Sequence, residues 1–203
     1  MKKRGYLILG AFCIICWSAV CVLCTYQIVS SFRQKHNFDV VIKEVSEQPS
    51  KYQFLDKDLS DYICALCIEL ELDSDEVVAR LMVENPEFNY EVMHRNENGT
   101  IDCGLWQLND KYLWTTFKKN YWFEDVELDP FNWKHNTYIA LHHMKYLQDK
   151  FKIKDEAIMA YNCGEGAVMN NNIPASTYVY LAKVKNNLWL LKNREDNNGQ
   201  TGI

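Results

Sequence analysis

Two carboxylates stand on either side of a polar turn. Glu84 closes the apolar run from Arg80 to Val83, Asp102 precedes Gly104-Leu105-Trp106-Gln107, and Asn96 to Thr100 lie between them. Such a pair is suited to breaking a glycosidic bond: one acid protonates the leaving oxygen and a second carboxylate supports the positive charge that develops on the sugar. The proton donor must still be protonated near neutral pH, and burial among apolar neighbours raises a carboxyl pKa in that way. Met82, Val83 and Phe88 are the apolar residues nearest Glu84 along the chain.

The elements that would carry these acids follow from periodicity and caps. Leu59, Ile63, Leu66, Cys67 and Leu70 recur at helical spacing behind Asp56 or Asp58, predicting a helix to about Leu72. Asp73 with Glu76 three residues on is an N-cap signature for a second helix through Val77, Val78, Leu81 and Met82. That helix delivers Glu84 at its last turn, since Pro86 disfavours helical geometry at Asn85. Asn96-Glu97-Asn98-Gly99 reads as a tight turn between Val92–Arg95 and Thr100–Cys103, a small β-ribbon. Further helices are predicted from Asn109 or Asp110 through Phe117, from Asn132 to Lys150, from Glu156 to Tyr161, and from Pro174 through Tyr178, Leu181, Val184 and Leu188. The glycines of Asn162-Cys163-Gly164-Glu165-Gly166 permit a turn close against a neighbour or ligand.

Composition bounds the rest. With 48% hydrophobic and 13% aromatic residues the chain can build a packed core. Residues 6–29 contain no charge, and at about 1.5 Å per residue they are longer than a bilayer core of roughly 30 Å, so one transmembrane helix is expected. A cleaved signal peptide is the competing reading, but the apolar run is too long for one and no small-x-small site follows it. Lys2, Lys3 and Arg4 favour a cytoplasmic N-terminus, with the globular part facing outward. The expected organisation is a cytoplasmic end (1–5), a signal anchor (6–29), a stalk (30–55), a domain (56–191) and a polar tail (192–203). The net charge of −5 already includes those three N-terminal cations, so the remainder is more acidic still and nucleic-acid binding is excluded.

Metal and redox sites are not expected. His135, His142 and His143 share a helix without H-E-x-x-H or paired Cys-His spacing. Cys64 and Cys67 sit mid-helix among apolar residues, where packing explains them better than a redox C-x-x-C. Cys103 and Cys163 both fall in candidate site segments and could form a disulfide in an oxidising compartment.

Three segments in order resemble the lysozyme-like superfamily and, within it, the soluble lytic transglycosylase (SLT) family, including the specialised members that accompany secretion and conjugation systems and phages. The first is Glu84-Asn85 with Phe88-Asn89, similar to E-S-x-F-N; the second is Asn96 to Asn109, N-E-N-G-T-I-D-C-G-L-W-Q-L-N, similar to N-x-N/D-G-S-x-D-x-G-x-x-Q-I-N. The third is Ala157 to Gly164, similar to A-x-x-A-Y-N-A-G, followed by Tyr180 and Lys183-Val184, which resemble a closing Y-V-x-K-V. The resemblance covers residues 56 to 190. Asn85 replaces the usual Ser, Pro86-Glu87 add a residue before Phe88, Trp106 stands where Met or Leu is commoner, and Cys163 stands at an alanine position.

The resemblance implies a mainly α, lysozyme-like domain with a small β-ribbon, preceded here by one transmembrane helix, acting on peptidoglycan without a cofactor. Glu84 would be the general acid, and Gln107, Tyr161, Asn162 and Tyr180 would bind the glycan strand. Two outcomes stay open. A lytic transglycosylase would use Glu84 first as acid and then as base, closing a 1,6-anhydro ring on N-acetylmuramic acid. A hydrolytic muramidase would use Asp102 as nucleophile or electrostatic partner. A third class is a non-catalytic glycan-binding scaffold. A membrane-anchored enzyme of this kind is expected to serve a cell-envelope-spanning assembly.

Overall fold

The computed structural model describes residues 50–115 and 128–198, all within the unit Val41–Ile203. The expected N-terminal end, transmembrane helix and stalk up to residue 49 lie outside the described residues, as do 199–203 of the tail. Among the described residues no helix is long and apolar enough to cross a membrane.

The described residues are mainly helical. Helix α1 spans Lys57–Leu70 and α2 Ser74–Glu84; a three-stranded antiparallel sheet follows, with β1 Met93–Arg95, β2 Ile101–Cys103 and β3 Leu108–Asn109 in that spatial order. A π-helical turn covers Asp110–Trp114, where an α-helix is expected from the sequence. Beyond it come α3 (Trp133–Lys150), α4 (Lys154–Cys163), α5 (Glu165–Met169) and α6 (Ala175–Asn198).

The helix starts follow their caps. Asp56 Oδ1 accepts from the N–H of Asp58 and Leu59, Asp73 Oδ1 from Asp75 and Glu76, and Asn132 Oδ1 from Lys134 and His135, each satisfying donors that a helix start leaves without partners. Helix α1 ends on Glu71 in the left-handed region at φ 55°. Helix α2 lies along α6 and α3 packs between α1 and α4. Leu59, Ile63 and Leu66 of α1, Val78 and Leu81 of α2, Ile139, Leu141 and Met144 of α3, and Val184 of α6 are completely or almost completely buried. At about 1.5–3 kcal/mol per large side chain, this burial is what holds α2 in place.

Three differences from the expected organisation have local causes. Lys51 and Tyr52, expected in the stalk, are fastened to the first turn of α2: Tyr52 donates to Asp75 Oδ1 at 2.8 Å and Lys51 pairs with the same carboxylate at 2.9 Å. The last helix runs past 191 to Asn198, and Lys192 Nζ reaches Asp73 Oδ2 at 3.0 Å. Cys103 and Cys163 are free, the first buried in β2 and the second partly exposed at the end of α4, so the pairing considered from sequence is not formed.

Candidate active site

Glu84 is the last residue of α2. The chain turns away after it because Pro86 follows Asn85, whose backbone has left the helix at φ −150°. Asn85 is 3% exposed and staples the longer loop beyond: its Nδ2 donates to Asn89 O at 2.6 Å and Leu105 O at 3.3 Å, and its Oδ1 accepts from Asn89 N at 3.1 Å. The Pro86-Glu87 insertion is accommodated by these three bonds and by Phe88 entering the left-handed region at φ 52°. An Asn side chain has both the donors and the acceptor this requires, and a Ser does not.

Asp102 lies mid-strand in β2, opposite His94 and Asn109. Its carboxylate is held from both sides, with Asn109 Nδ2 donating to Oδ1 at 2.7 Å and Asn96 Nδ2 donating to Oδ2 at 2.9 Å. The same two amides donate to Thr100 Oγ1, which in turn donates to Asn98 Oδ1 at 2.8 Å. The polar residues of the turn therefore form one connected network around Asp102, and β3, which supplies Asn109, completes it.

The segment after β2 is fixed from α3. Asn136 is fully buried and bonds three ways: Nδ2 to Cys103 O at 3.0 Å and to Pro130 O at 2.9 Å, and Oδ1 from Trp106 N at 2.8 Å. Trp106 is also fully buried, its indole N–H donating to Thr137 Oγ1 at 3.0 Å. Gly104 adopts φ +73°, and a Cβ there would come within 2.3 Å of Pro130 O and 2.4 Å of Asn136 Nδ2. Only glycine fits between strand and helix at that point.

Glu84, Asp102, Gln107, Tyr161 and Asn162 line one cleft of about 830 Å³, and His143 and Glu165 line it too. Gln107 stands at φ 49° and uses its amide to donate to Gly104 O at 2.8 Å and Val92 O at 3.3 Å. Tyr161 donates to Trp106 O at 3.3 Å, and Asn162 Oδ1 accepts from Thr177 Oγ1 at 2.8 Å. Tyr180 is 6% exposed and stands behind Glu84 rather than on the cleft wall.

Burial sets the protonation of this site. Desolvation pushes Glu84 up to about 7, with the Tyr180 hydroxyl opposing, the Asp102 charge reinforcing and Arg80 opposing the shift. Glu84 is thus half-protonated near neutral pH, able to give a proton and take one back. Burial raises Tyr161 and Tyr180, each reinforced by the Glu84 charge, so both phenols stay neutral hydrogen-bonding groups. His143 is pushed down to about 4 by burial and stays uncharged. Among the described residues no group of three His, Cys, Asp or Glu side chains is placed to hold a metal ion.

The structure thus brings together every site residue expected from sequence, with Tyr180 in contact with the acid instead of the groove. Asn96, Asn109 and Asn136, which hold Asp102 and the Trp106 segment, are not apparent from sequence as site residues. The two ribbon asparagines lie within the segment already singled out, whereas Asn136 lies 30 residues from Trp106 along the chain.

The family model for the transglycosylase SLT domain matches residues 71–178, just over half of the chain. This chain belongs to the transglycosylase SLT domain family. The SLT match contains Glu84, the ribbon with Asp102, Gln107 and the Tyr161-Asn162 pair, and ends before Tyr180. Comparison with curated proteins and with solved structures gives no match. SLT domains are lytic transglycosylases, glycosidic-bond lyases that act on peptidoglycan, and the mainly helical architecture with its small sheet fits their lysozyme-like fold.

Proposed function

We propose that the chain cleaves the β-1,4 bond between N-acetylmuramic acid and N-acetylglucosamine and leaves 1,6-anhydro-muramic ends, with Glu84 acting first as acid and then as base. The protonated Glu84 carboxyl gives its proton to the glycosidic oxygen as the C1–O bond breaks, and the substrate's own N-acetyl oxygen bonds to C1. The resulting Glu84 carboxylate then takes the proton of the C6 hydroxyl while O6 bonds to C1 and the N-acetyl oxygen leaves. Glu84 ends protonated, ready for another turnover.

One observation carries this reading over hydrolysis with Asp102 as nucleophile. Both oxygens of Asp102 already accept charge-assisted hydrogen bonds from the amides of Asn96 and Asn109. Attack at C1 would draw charge away from these bonds, each stabilising by about 1.5–3 kcal/mol, and so weaken the brace as well as the nucleophile. A single carboxylate near its midpoint of titration serves the anhydro route without help from a second nucleophile. Asp102 then acts as a ribbon brace whose charge adds to the burial that raises Glu84. Gln107, Tyr161 and Asn162 offer amide and hydroxyl groups beside an aromatic face along the cleft, as sugar binding requires.

The test is digestion of purified peptidoglycan with the full-length chain and mass spectrometry of the muropeptides. Products lighter by one water and without a reducing end support the proposal. Reducing muramic acid ends would assign hydrolysis instead, and no products from a folded chain would assign a glycan-binding scaffold.

The uncharged run over 6–29 behind Lys2, Lys3 and Arg4 supports a further part of the proposal: a single-pass anchor with the catalytic domain outside the cytoplasm, in the manner of specialised members that serve envelope-spanning assemblies. Fractionation and protease protection of intact cells test it, and a chain recovered wholly in the soluble fraction would refute the anchor.

A further inference from the structure

The reaction proposed above leaves one buried cation unused. Arg80 is 3% exposed and sits on α2 one turn before Glu84, with Glu76 one turn before Arg80, so the three share a helix face. Arg80 Nη2 pairs with Glu76 Oε1, and Glu76, itself 5% exposed, takes Lys154 on its other oxygen. The guanidinium carbon lies 5.9 Å from the centroid of the Tyr161 ring, within cation–π range. Its Nε and Nη1 have no hydrogen-bond partner among the described residues.

A buried charge with open donors is costly, and an apolar side chain of similar size would remove that cost. The cost makes sense if the missing acceptor forms during the reaction. Glu84 alternates between a neutral carboxyl and a carboxylate, and the carboxylate is formed where water is scarce, one helical turn from these donors.

We propose that Arg80 is a positioning residue for Glu84: a fixed, desolvated positive charge, held by Glu76 and by the Tyr161 ring, that stabilises Glu84 as a carboxylate between its acid and base steps. This rests on the assignment of Glu84 as acid and then base. The other groups around Glu84 do not supply that charge. Asp102 on β2 is an anion that opposes it, while Tyr161 on α4 and Tyr180 on α6 are neutral phenols. His143 on α3 is kept neutral by burial against the pull of Glu165. Lys154 on α4 acts on Glu76, whose charge in turn tempers that of Arg80.

The geometry predicts opposite effects from removing the cation and removing its counter-ion. In the full-length chain, release of muropeptides from purified peptidoglycan is followed from pH 4 to 9. Arg80→Met should shift the high-pH limb of activity, where Glu84 loses its proton, to higher pH and lower kcat about tenfold or more. Glu76→Gln frees the Arg80 charge and should shift the same limb to lower pH, and Arg80→Lys should stay near the parent profile. A residue that only fills space would change melting temperature and leave the limb in place. Folded Arg80→Met with an unmoved limb, or Glu76→Gln shifting it upward, overturns the proposal. If Arg80→Met does not fold, Glu76→Gln decides alone: a downward shift supports and any other result refutes. Full activity in Glu84→Gln would instead overturn the assignment of Glu84 itself, whereas an inactive Glu84→Gln beside an unmoved Arg80→Met limb removes only the role of Arg80.

Discussion

Asn109 on β3 donates to Asp102 Oδ1 on the neighbouring strand at 2.7 Å, closing on one side a carboxylate that Asn96 closes on the other at 2.9 Å. A two-residue strand thereby braces a carboxylate whose part in the chemistry the sequence leaves open. Replacing Asp102 by Asn sets amide against amide and removes the charge-assisted bonds. We expect a loss of about 2 kcal/mol, read as a melting temperature lower by roughly 4–8 °C. Activity should fall about 10- to 100-fold, with the remaining products still in the anhydro form. An Asp102→Asn variant as inactive as Glu84→Gln, with normal stability, would return Asp102 to the chemistry.

Glu84→Gln should lower activity by at least about 10³-fold, because an amide can neither donate nor accept the catalytic proton. It should also stabilise the fold at high pH. Burial raises the native carboxyl to about 7 from an ordinary 4.5, so between those values the native state binds more protons than the unfolded state and stability falls as pH rises. The stabilising effect of the neutral carboxyl is complete below about 4.5 and gone above about 7. Thermal melts at pH 4 should therefore show parent and variant alike, and melts at pH 8 should favour the variant by about 1–3 kcal/mol. Equal melting temperatures at both pH values would show that Glu84 is not desolvated.

The buried Tyr180 hydroxyl has no hydrogen-bond partner among the described residues and lies close enough to Glu84 to favour its ionised form. Tyr180→Phe removes that help while keeping the ring buried against α2. The high-pH limb of activity should move upward, as for Arg80→Met, with little change in KM because Tyr180 stands off the cleft wall. A rise in KM with an unmoved limb would place Tyr180 on the substrate instead.

Gly104→Ala tests how tightly the ribbon is set on α3. The added methyl group meets Pro130 O and the Asn136 amide, and the backbone is at φ +73°. Destabilisation of about 2–4 kcal/mol is expected in chemical denaturation, from strain plus displacement of the Asn136 bonds. A loss under 1 kcal/mol would mean that Pro130 and Asn136 move aside freely.

Local sequence signals were sufficient for much of this protein. Asp73 caps the helix it is expected to cap, Asp56 rather than Asp58 caps the first, and Asn132, expected as the first residue of its helix, caps it, because a cap is decided by bonds within three residues. Pro86 ends α2 at Glu84, and Asn98-Gly99 turns the ribbon, for the same short-range reasons. The family resemblance implies that Glu84, Asp102, Gln107, Tyr161 and Asn162 share one site, and all five line the same cleft.

Tertiary structure decided the surroundings of each of those residues. Strand β3 is two residues long, too short for any periodicity, yet it supplies Asn109 and with it the state of Asp102. Asn136 reaches Trp106 across 30 positions of sequence, and Lys192 reaches Asp73 across 119, so no local window contains either bond. The raised pKa of Glu84 and the burial of Arg80 arise where α6 packs along α2 and Tyr161 and Lys154 of α4 reach Arg80 and Glu76. Sequence fixes which groups are present and where helices and turns begin; only packing fixes how much water those groups keep, and the chemistry of a carboxyl depends on that water.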